Sequence, residues 1–414
     1  METHLAPNVL KTSAGQRATE ILRACVHCGF CNATCPTYQL LGDELDGPRG
    51  RIYLIKDVLE SGEVNAVIGS HLDRCLTCRA CETTCPSGVS YGELLEIGRE
   101  LIEPQRPRSA YQKRLRNWLL RVVPDAERLR FWVRLGNLVR WLLPNRLSRA
   151  LPRIAKVNKM PETGSHTRKV ILLNGCVQSV VTPEVNQWVV QLLDAAGIEA
   201  VQVDGCCGAL ALHLGEHEQA STTMGATIDR IVGALNSTSE SGSSTDNTDG
   251  VEAVISMASG CGVTVKDYSR LVGTESEYAE RAAWVAQKTM DISEYLTVSN
   301  LPFKASEPGK RIAWQAPCSL QHGQKITAKV EQLLLQAGYE LLPIRDSQIC
   351  CGSAGTFSML EPELSFELRA NKLSALTERE PDVIVTANIG CQMHLQGGTA
   401  VPVKHWVELL TLTS

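Results

Sequence analysis

Cys25-Val26-His27-Cys28-Gly29-Phe30-Cys31-Asn32-Ala33-Thr34-Cys35-Pro36 is echoed fifty residues on by Cys75-Leu76-Thr77-Cys78-Arg79-Ala80-Cys81-Glu82-Thr83-Thr84-Cys85-Pro86. Each run reads C-x2-C-x2-C-x3-C-P, the spacing in which three close thiolates take three irons of one cubane and the fourth reaches the other cluster. Two runs call for two clusters. Cys25, Cys28, Cys31 and Cys85 would hold one [4Fe-4S], and Cys75, Cys78, Cys81 and Cys35 the second. The proline after each fourth Cys cannot continue a helix and turns the chain away. A zinc ribbon would leave two Cys of each run without a role. Disulfides do not suit such tight spacing.

The chain has 414 residues, room for two or three domains, and a formal net charge of -4, which argues against a polyanion binder. Nucleic acid is not an expected partner. Of the 16 Cys, eight lie in the two runs, and metal ligation accounts for the total better than a secreted scaffold does. Met1 to Leu22 carries no apolar h-region, and no stretch approaches 18 consecutive apolar residues. A cytoplasmic location is expected, with any membrane contact peripheral.

Ile21, Leu22 and Ala24 lead into the first run at helical spacing. Gly47-Pro48-Arg49-Gly50-Arg51 then opens an amphipathic helix through Ile52, Ile55, Val58 and Leu59, stopped by Ser61-Gly62. The 39 residues between Cys35 and Cys75 exceed what a compact β-ribbon needs and favour a helical cluster-binding domain over 1–105, with Tyr91 to Leu101 as a further helix. Residues 106–165 form a basic helical linker. Arg114, Arg116, Arg121, Arg128, Arg130, Arg134, Arg140, Arg146, Arg149 and Arg153 alternate there with Trp118, Trp132 and Trp141, and Pro124 and Pro144 divide the helices. Such a face suits a membrane interface or an acidic partner; equally, the Arg stems can cover an ordinary core.

The remainder reads as a duplication, 166–300 and 301–414. Arg168 to Cys176 and Arg311 to Cys318 are apolar strands ending in Cys. Helices ending at Gly197 and Gly338 follow, then strands that deliver Cys206-Cys207-Gly208 and Cys350-Cys351-Gly352. Val251 to Ser259 precedes Cys261, and Asp382 to Asn388 precedes Cys391. This βαβ order predicts parallel sheets, so the fold class is α/β with an all-α part. Every one of these Cys falls at the carboxyl end of a strand, where such sheets gather ligands. Cys176, Cys206, Cys207, Cys261, Cys318, Cys350, Cys351 and Cys391 are candidate ligands of a further iron-sulfur cluster, the glycine letting backbone approach it; the alternative is buried structural Cys. Asn236 to Gly250 is polar low-complexity sequence, expected to be a surface loop.

Two cluster runs followed by two Cys…Cys-Cys-Gly…Cys repeats resemble the iron-sulfur subunits of glycolate oxidase, of lactate utilisation, of anaerobic glycerol-3-phosphate dehydrogenase and of heterodisulfide reductase. Pro48-Arg49-Gly50-Arg51-Ile52, Ser259-Gly260-Cys261-Gly262 and Pro317-Cys318-Ser319-Leu320-Gln321-His322-Gly323 look closest to the glycolate oxidase branch. The resemblance implies an electron-transfer subunit that takes electrons from a flavin on FAD-containing dehydrogenase partners oxidising glycolate to glyoxylate, and passes them towards quinone. The heterodisulfide reductase branch implies the alternative, a catalytic cluster within the duplicated domain. Its repeats can end in C-x2-C, whereas here Thr264 and His394 stand three residues after Cys261 and Cys391.

His322 and His394 are candidate extra ligands. His27 is expected to be a solvent-facing spacer rather than a tuning residue, and His213 and His217 to lie on the surface. The chain has no G-x4-GK-[ST] loop and no GxGxxG after a strand, so no FAD is expected in it.

Overall fold

Thr12 caps the helix α1 (Ser13–Ala24) by accepting from the Gly15 amide, and Ile21 and Leu22 fall on its buried side. α2 (Pro48–Ser61) starts on a proline and stops where Gly62 turns left-handed at φ +75°, as its start and stop signals predict. Its stripe Ile52, Ile55, Val58 and Leu59 packs on Leu94, Leu95 and Ile97 of α3 (Tyr91–Ile102), and Leu22, Cys25 and Cys81 belong to the same core. The N-terminal part is therefore helical, with the cluster runs at the edge of an apolar helix pair. The computed structural model describes residues 1–142, 152, 163–238 and 250–413.

Two further helices, α4 (Ala110–Val122) and α5 (Ala126–Leu138), carry the basic zone. It is less uniform than its composition implies. Arg106, Arg108 and Arg116 turn inward onto Asp73 and Glu103: Asp73 meets Arg106 at 2.6 Å and Arg108 at 2.9 Å, and Glu103 meets Arg116 at 3.2 Å. The Arg116 guanidinium also donates to the Leu214 carbonyl at 2.5 Å, tying the linker to the first repeat. Arg114, Arg121, Arg128 and Arg134 stay exposed. Pro144, Arg146, Arg149 and Arg153 lie outside the described residues, as does most of the low-complexity segment, 239–249.

In the first repeat β1 (Arg168–Leu173), α6 (Pro183–Ala195), β2 (Ile198–Val203), α7 (His217–Thr238), β3 (Val254–Ser256), α8 (Ser259–Lys266) and β4 (Thr289–Asp291) build a parallel sheet ordered β2-β1-β3-β4. After β5 (Phe303–Ala305), the second repeat runs β6 (Arg311–Gln315), α9 (Lys329–Gln336), β7 (Glu340–Leu341), α10 (Pro362–Thr377), β8 (Val383–Thr386), α11 (Ile389–Gln396) and β9 (Val403–His405), in the matching order β7-β6-β8-β9. The duplicated α/β reading holds. Each sheet gains a fourth strand that the alternation does not announce, because Thr289-Met290-Asp291 and Val403-Lys404-His405 are short and carry polar residues. The last strand, β10 (Leu410–Leu412), pairs antiparallel with β5.

Val189 and Leu193 of α6 share one apolar core with Leu333 and Leu334 of α9, Trp314 and Trp406. Ser259 donates its amide to the Ala387 carbonyl at 3.0 Å and its hydroxyl lies 2.8 Å from that of Ser319. The two repeats thus meet at the same ends of their sheets that carry the cysteines.

Candidate metal centres

Each run wraps around its cysteines by alternating left-handed residues. His27 (φ +58°) and Gly29 (φ +83°) match Thr77 (φ +51°) and Arg79 (φ +59°) position for position. For residues other than glycine this costs roughly 1–2 kcal/mol each, and Arg79 is held by ion pairs to Asp267 at 3.0 Å and Glu82 at 3.9 Å. A short helical turn follows in each run, Phe30–Thr34 and Ala80–Thr84. Cys35 and Cys85 then stand extended at ψ 115°, as residues before proline prefer.

This backbone brings Cys25, Cys28, Cys31 and Cys85 to the wall of one cavity of about 430 Å³, which Cys81 also lines, beside Arg49, Ile52 and Tyr91. Burial pushes the Cys31 thiol up to about 11, and charge on Cys25, Cys85 and Cys28 adds to the rise. Cys28 remains exposed. The Cys78 and Cys81 thiols are likewise raised by burial, with Cys75 and Cys35 near enough to add to both. The eight thiols thus fall into two neighbourhoods, each drawing its fourth Cys from the other run. Raised thiols resist ionising unless a cation arrives, and a metal that deprotonates them removes that cost. The residues therefore fit cluster ligation.

The second neighbourhood is polar on one side. Arg51, 1% exposed, places Nη1 4.0 Å from the Cys35 sulfur, and the Tyr91 hydroxyl donates to the Cys75 sulfur at 3.6 Å. On the other side it faces the second repeat. Leu76 and Cys78 join Cys318, Cys350, Phe357 and Leu368 in one apolar cluster, and the Cys318 sulfur is close enough to raise Cys78.

Within the repeats the thiols touch in pairs. Cys176 and Cys206 are 3.7 Å apart, Cys318 and Cys350 3.8 Å, and Cys351 and Cys391 3.1 Å. Cys207 is hydrogen-bonded to Cys206 and Cys261, and a cavity of about 350 Å³ opens beside Cys207, Cys261, Asn174 and Thr227. The second repeat adds buried Lys372, whose ammonium donates to the carbonyls of Asp346 and Ser347 at 3.0 and 2.9 Å and lies near the four thiols. The glycines after each Cys pair are both left-handed and closely packed. Gly352 is left-handed (φ +87°), and a Cβ there would stand 2.7 Å from Leu368 Cβ and the Ser365 carbonyl oxygen.

The histidines depart from expectation. His27 is half-buried against Tyr53, with ring centroids 4.3 Å apart, and its buried Nε2 has no partner among the described residues, so it is no solvent-facing spacer. His213 is not a surface residue. Burial, with the Arg99 and Arg79 charges, holds its pKa down to about 3. His217 points Nδ1 at Glu100, 3.5 Å away, on the N-terminal helical part. A periodicity that reads as an exposed helix face hid a contact between domains. His322 uses both ring nitrogens elsewhere, on the Thr83 hydroxyl (2.9 Å) and the Gln348 carbonyl (3.1 Å). His394 Nε2 lies against the Ser365 hydroxyl and carbonyl, at 3.3 and 3.2 Å. Both nitrogens of His322, and Nε2 of His394, are thus engaged away from the thiols.

Comparison with known proteins agrees with this architecture. Residues 21–89 match the 4Fe-4S dicluster domain family, and residues 170–266 and 312–396 each match a cysteine-rich domain family. The chain is 43% identical over 412 residues to the glycolate oxidase iron-sulfur subunit of Escherichia coli strain K12, covering 99% of this chain and 98% of that one. It is 32% identical over 408 residues to a probable glycolate oxidase iron-sulfur subunit of Bacillus subtilis strain 168, covering 90% and 88%. A more distant relative is one of the subunits of the fumarate reductase (CoM/CoB) of Methanothermobacter marburgensis, 24% identical over 95% of this chain and 73% of that one. The chain belongs to the family of glycolate oxidase iron-sulfur subunits.

Proposed function

We propose that this chain is the electron-transfer subunit of a flavin-dependent 2-hydroxy-acid dehydrogenase that turns glycolate into glyoxylate. The observation that supports the proposal is that three sulfur neighbourhoods adjoin one another. Cys25, Cys28, Cys31 and Cys85 line a cavity at which Cys28 is exposed; Cys75, Cys78, Cys81 and Cys35 are half-buried or buried; Cys318 and Cys350 of the second repeat adjoin Cys78. The first two sets each bind a [4Fe-4S] cluster, which supplies one-electron storage when bound. Tyr91 lines the outer cavity and reaches Cys75 of the inner set, so one side chain spans the gap. The flavin sits on an FAD-containing partner and the final acceptor is a quinone. Purifying the chain under anaerobic conditions from its own cells tests this. A flavoprotein that reduces dye with glycolate comes down with it; a chain that loads both clusters yet never binds such a partner contradicts the reading.

The alternative, a catalytic centre inside the duplicated domain, is favoured by the contact of Cys78 with Cys318 and Cys350. It requires metal at those thiols. An additional EPR signal lost in Cys350→Ser, with disulfide or quinone reduction lost alongside it, supports it; cubane signals alone remove it.

The chain divides on this reading into a cluster domain (1–105), a linker (106–165) and two repeats (166–300, 301–414). The linker is the membrane contact. Trp118, Phe131, Trp132, Leu138 and Trp141 are exposed beside Arg121, Arg128 and Arg134, while no helix among the described residues is long and apolar enough to cross a membrane. The protein sediments with vesicles containing anionic lipid at low salt. Binding that is the same in Phe131→Ser/Trp141→Ser excludes this face.

A further inference from the structure

We infer that Arg51, assisted by Arg74 and Tyr91, raises the reduction potential of the inner centre and so draws electrons away from the surface. The inference rests on the two-cluster reading above.

Reduction adds one negative charge to a cluster, so a fixed positive charge nearby stabilises the reduced form, more strongly where water is excluded. The inner neighbourhood contains such a charge. Asp46 is 1% exposed and receives two guanidiniums, Arg51 at 3.4 Å and Arg74 at 3.0 Å. Asp46 also meets His71 Nδ1 at 3.0 Å, and the exposed Asp43 carboxylate stands within 4.8 Å of both; the member of this group that reaches a sulfur is the buried Arg51 guanidinium, whose Nη1 is 4.0 Å from Cys35 Sγ. Arg51 cannot swing away. Its Nε donates to the His71 carbonyl at 2.7 Å and its Nη2 to the Thr37 hydroxyl at 3.2 Å. Tyr91 adds a hydroxyl donor to the Cys75 sulfur, the second sulfur of the same set.

Among the described residues no guanidinium is hydrogen-bonded to a sulfur of the outer neighbourhood; a cation there is the Met1 ammonium, which donates to the Cys25 carbonyl, not to a sulfur, at 2.9 Å. The nearest guanidinium, Arg49, is paired one to one with Glu44 at 2.6 Å, both side chains more than a third exposed, so the charges cancel in water. Burial alone would make the inner centre the harder of the two to reduce. The buried Arg51 guanidinium and the Tyr91 hydroxyl, both turned to sulfurs of the inner set, work against that burial.

The test is a redox titration of the whole chain followed by EPR, with iron counted in every sample. Cys28→Ser and Cys78→Ser assign the signals to the outer and inner centres. Arg51→Gln shifts the oxidised-to-reduced ratio of the inner centre at least tenfold towards oxidised at fixed potential, ~59 mV for one electron. Tyr91→Phe shifts the same centre in the same direction by less, and neither moves the outer centre. Arg74, 35% exposed, can be changed with less risk to folding. If Arg51→Gln fails to load iron, Arg74→Gln removes a positive charge from the same Asp46 cluster and produces a smaller shift of the inner centre in the same direction. Loaded variants whose inner potential does not move, or in which both centres move equally, overturn the inference. A wild-type chain without two clusters would instead overturn the reading beneath it.

Discussion

Cys78→Ser is expected to stop electrons inside this chain while leaving the partner's chemistry running. With the flavin partner and quinone acceptor proposed above, glycolate still bleaches the flavin, but reduction of quinone or dye beyond it falls by more than the roughly 10–100-fold that loss of an outer-shell partner costs a metal site. The expectation follows from position. Cys78 is a proposed ligand of the inner centre and the residue through which that centre touches Cys318 and Cys350. A serine there offers no soft thiolate to iron. Stopped-flow absorbance separates the two halves of the reaction. A Cys78→Ser complex that reduces quinone at the wild-type rate means that electrons bypass the inner centre.

Asp73→Asn is expected to cost roughly 3–5 kcal/mol of stability, the range for removing one partner from a buried ion network. The Asp73 carboxylate closes the helix Ala66–Asp73 and meets Arg106, Arg108 and Arg116, whose side chains are 9%, 4% and 6% exposed. Without it Arg106 loses its carboxylate and Glu103 is left to Arg108 and Arg116. Arg116 also anchors the first repeat through Leu214, so the variant loosens the join between the helical part and the sheets as well as the helix itself. The arginines hold the Asp73 carboxyl below the ordinary carboxylate range. Its contribution is therefore complete above the unfolded-state value and is lost only as pH falls through the lower, folded-state value. Urea midpoints at pH 7 give the difference between wild type and variant. A loss under 1 kcal/mol would mean that the arginines find water instead.

The cluster runs were legible because their information is local. Four Cys at fixed spacing with a proline behind them need no tertiary context, and the structure brings each fourth Cys to the other run's three. The parallel sheets were legible for the same reason, apolar runs alternating with helical periods. What stayed hidden depends on residues far apart in the chain. Nothing near Cys78 announces Cys318, and their contact is made by docking two domains through Arg79–Asp267, Arg270–Glu96 and Thr83–His322. His213 and His217 were misread because an interface between domains looks like an exposed helix face in one dimension. Arg51 stood within a recognisable Pro-Arg-Gly-Arg stretch, but its place beside Arg74 on Asp46 is set by folding.

Iron analysis and EPR of four single variants test the central claim most directly, that two cubanes share their ligands across the two runs. The wild-type chain holds roughly eight irons if two [4Fe-4S] clusters are bound. Cys85→Ser is predicted to alter the same signal as Cys28→Ser, and Cys35→Ser the same signal as Cys78→Ser. Zinc in place of iron, or Cys85→Ser altering the signal that Cys78→Ser alters, would contradict the account.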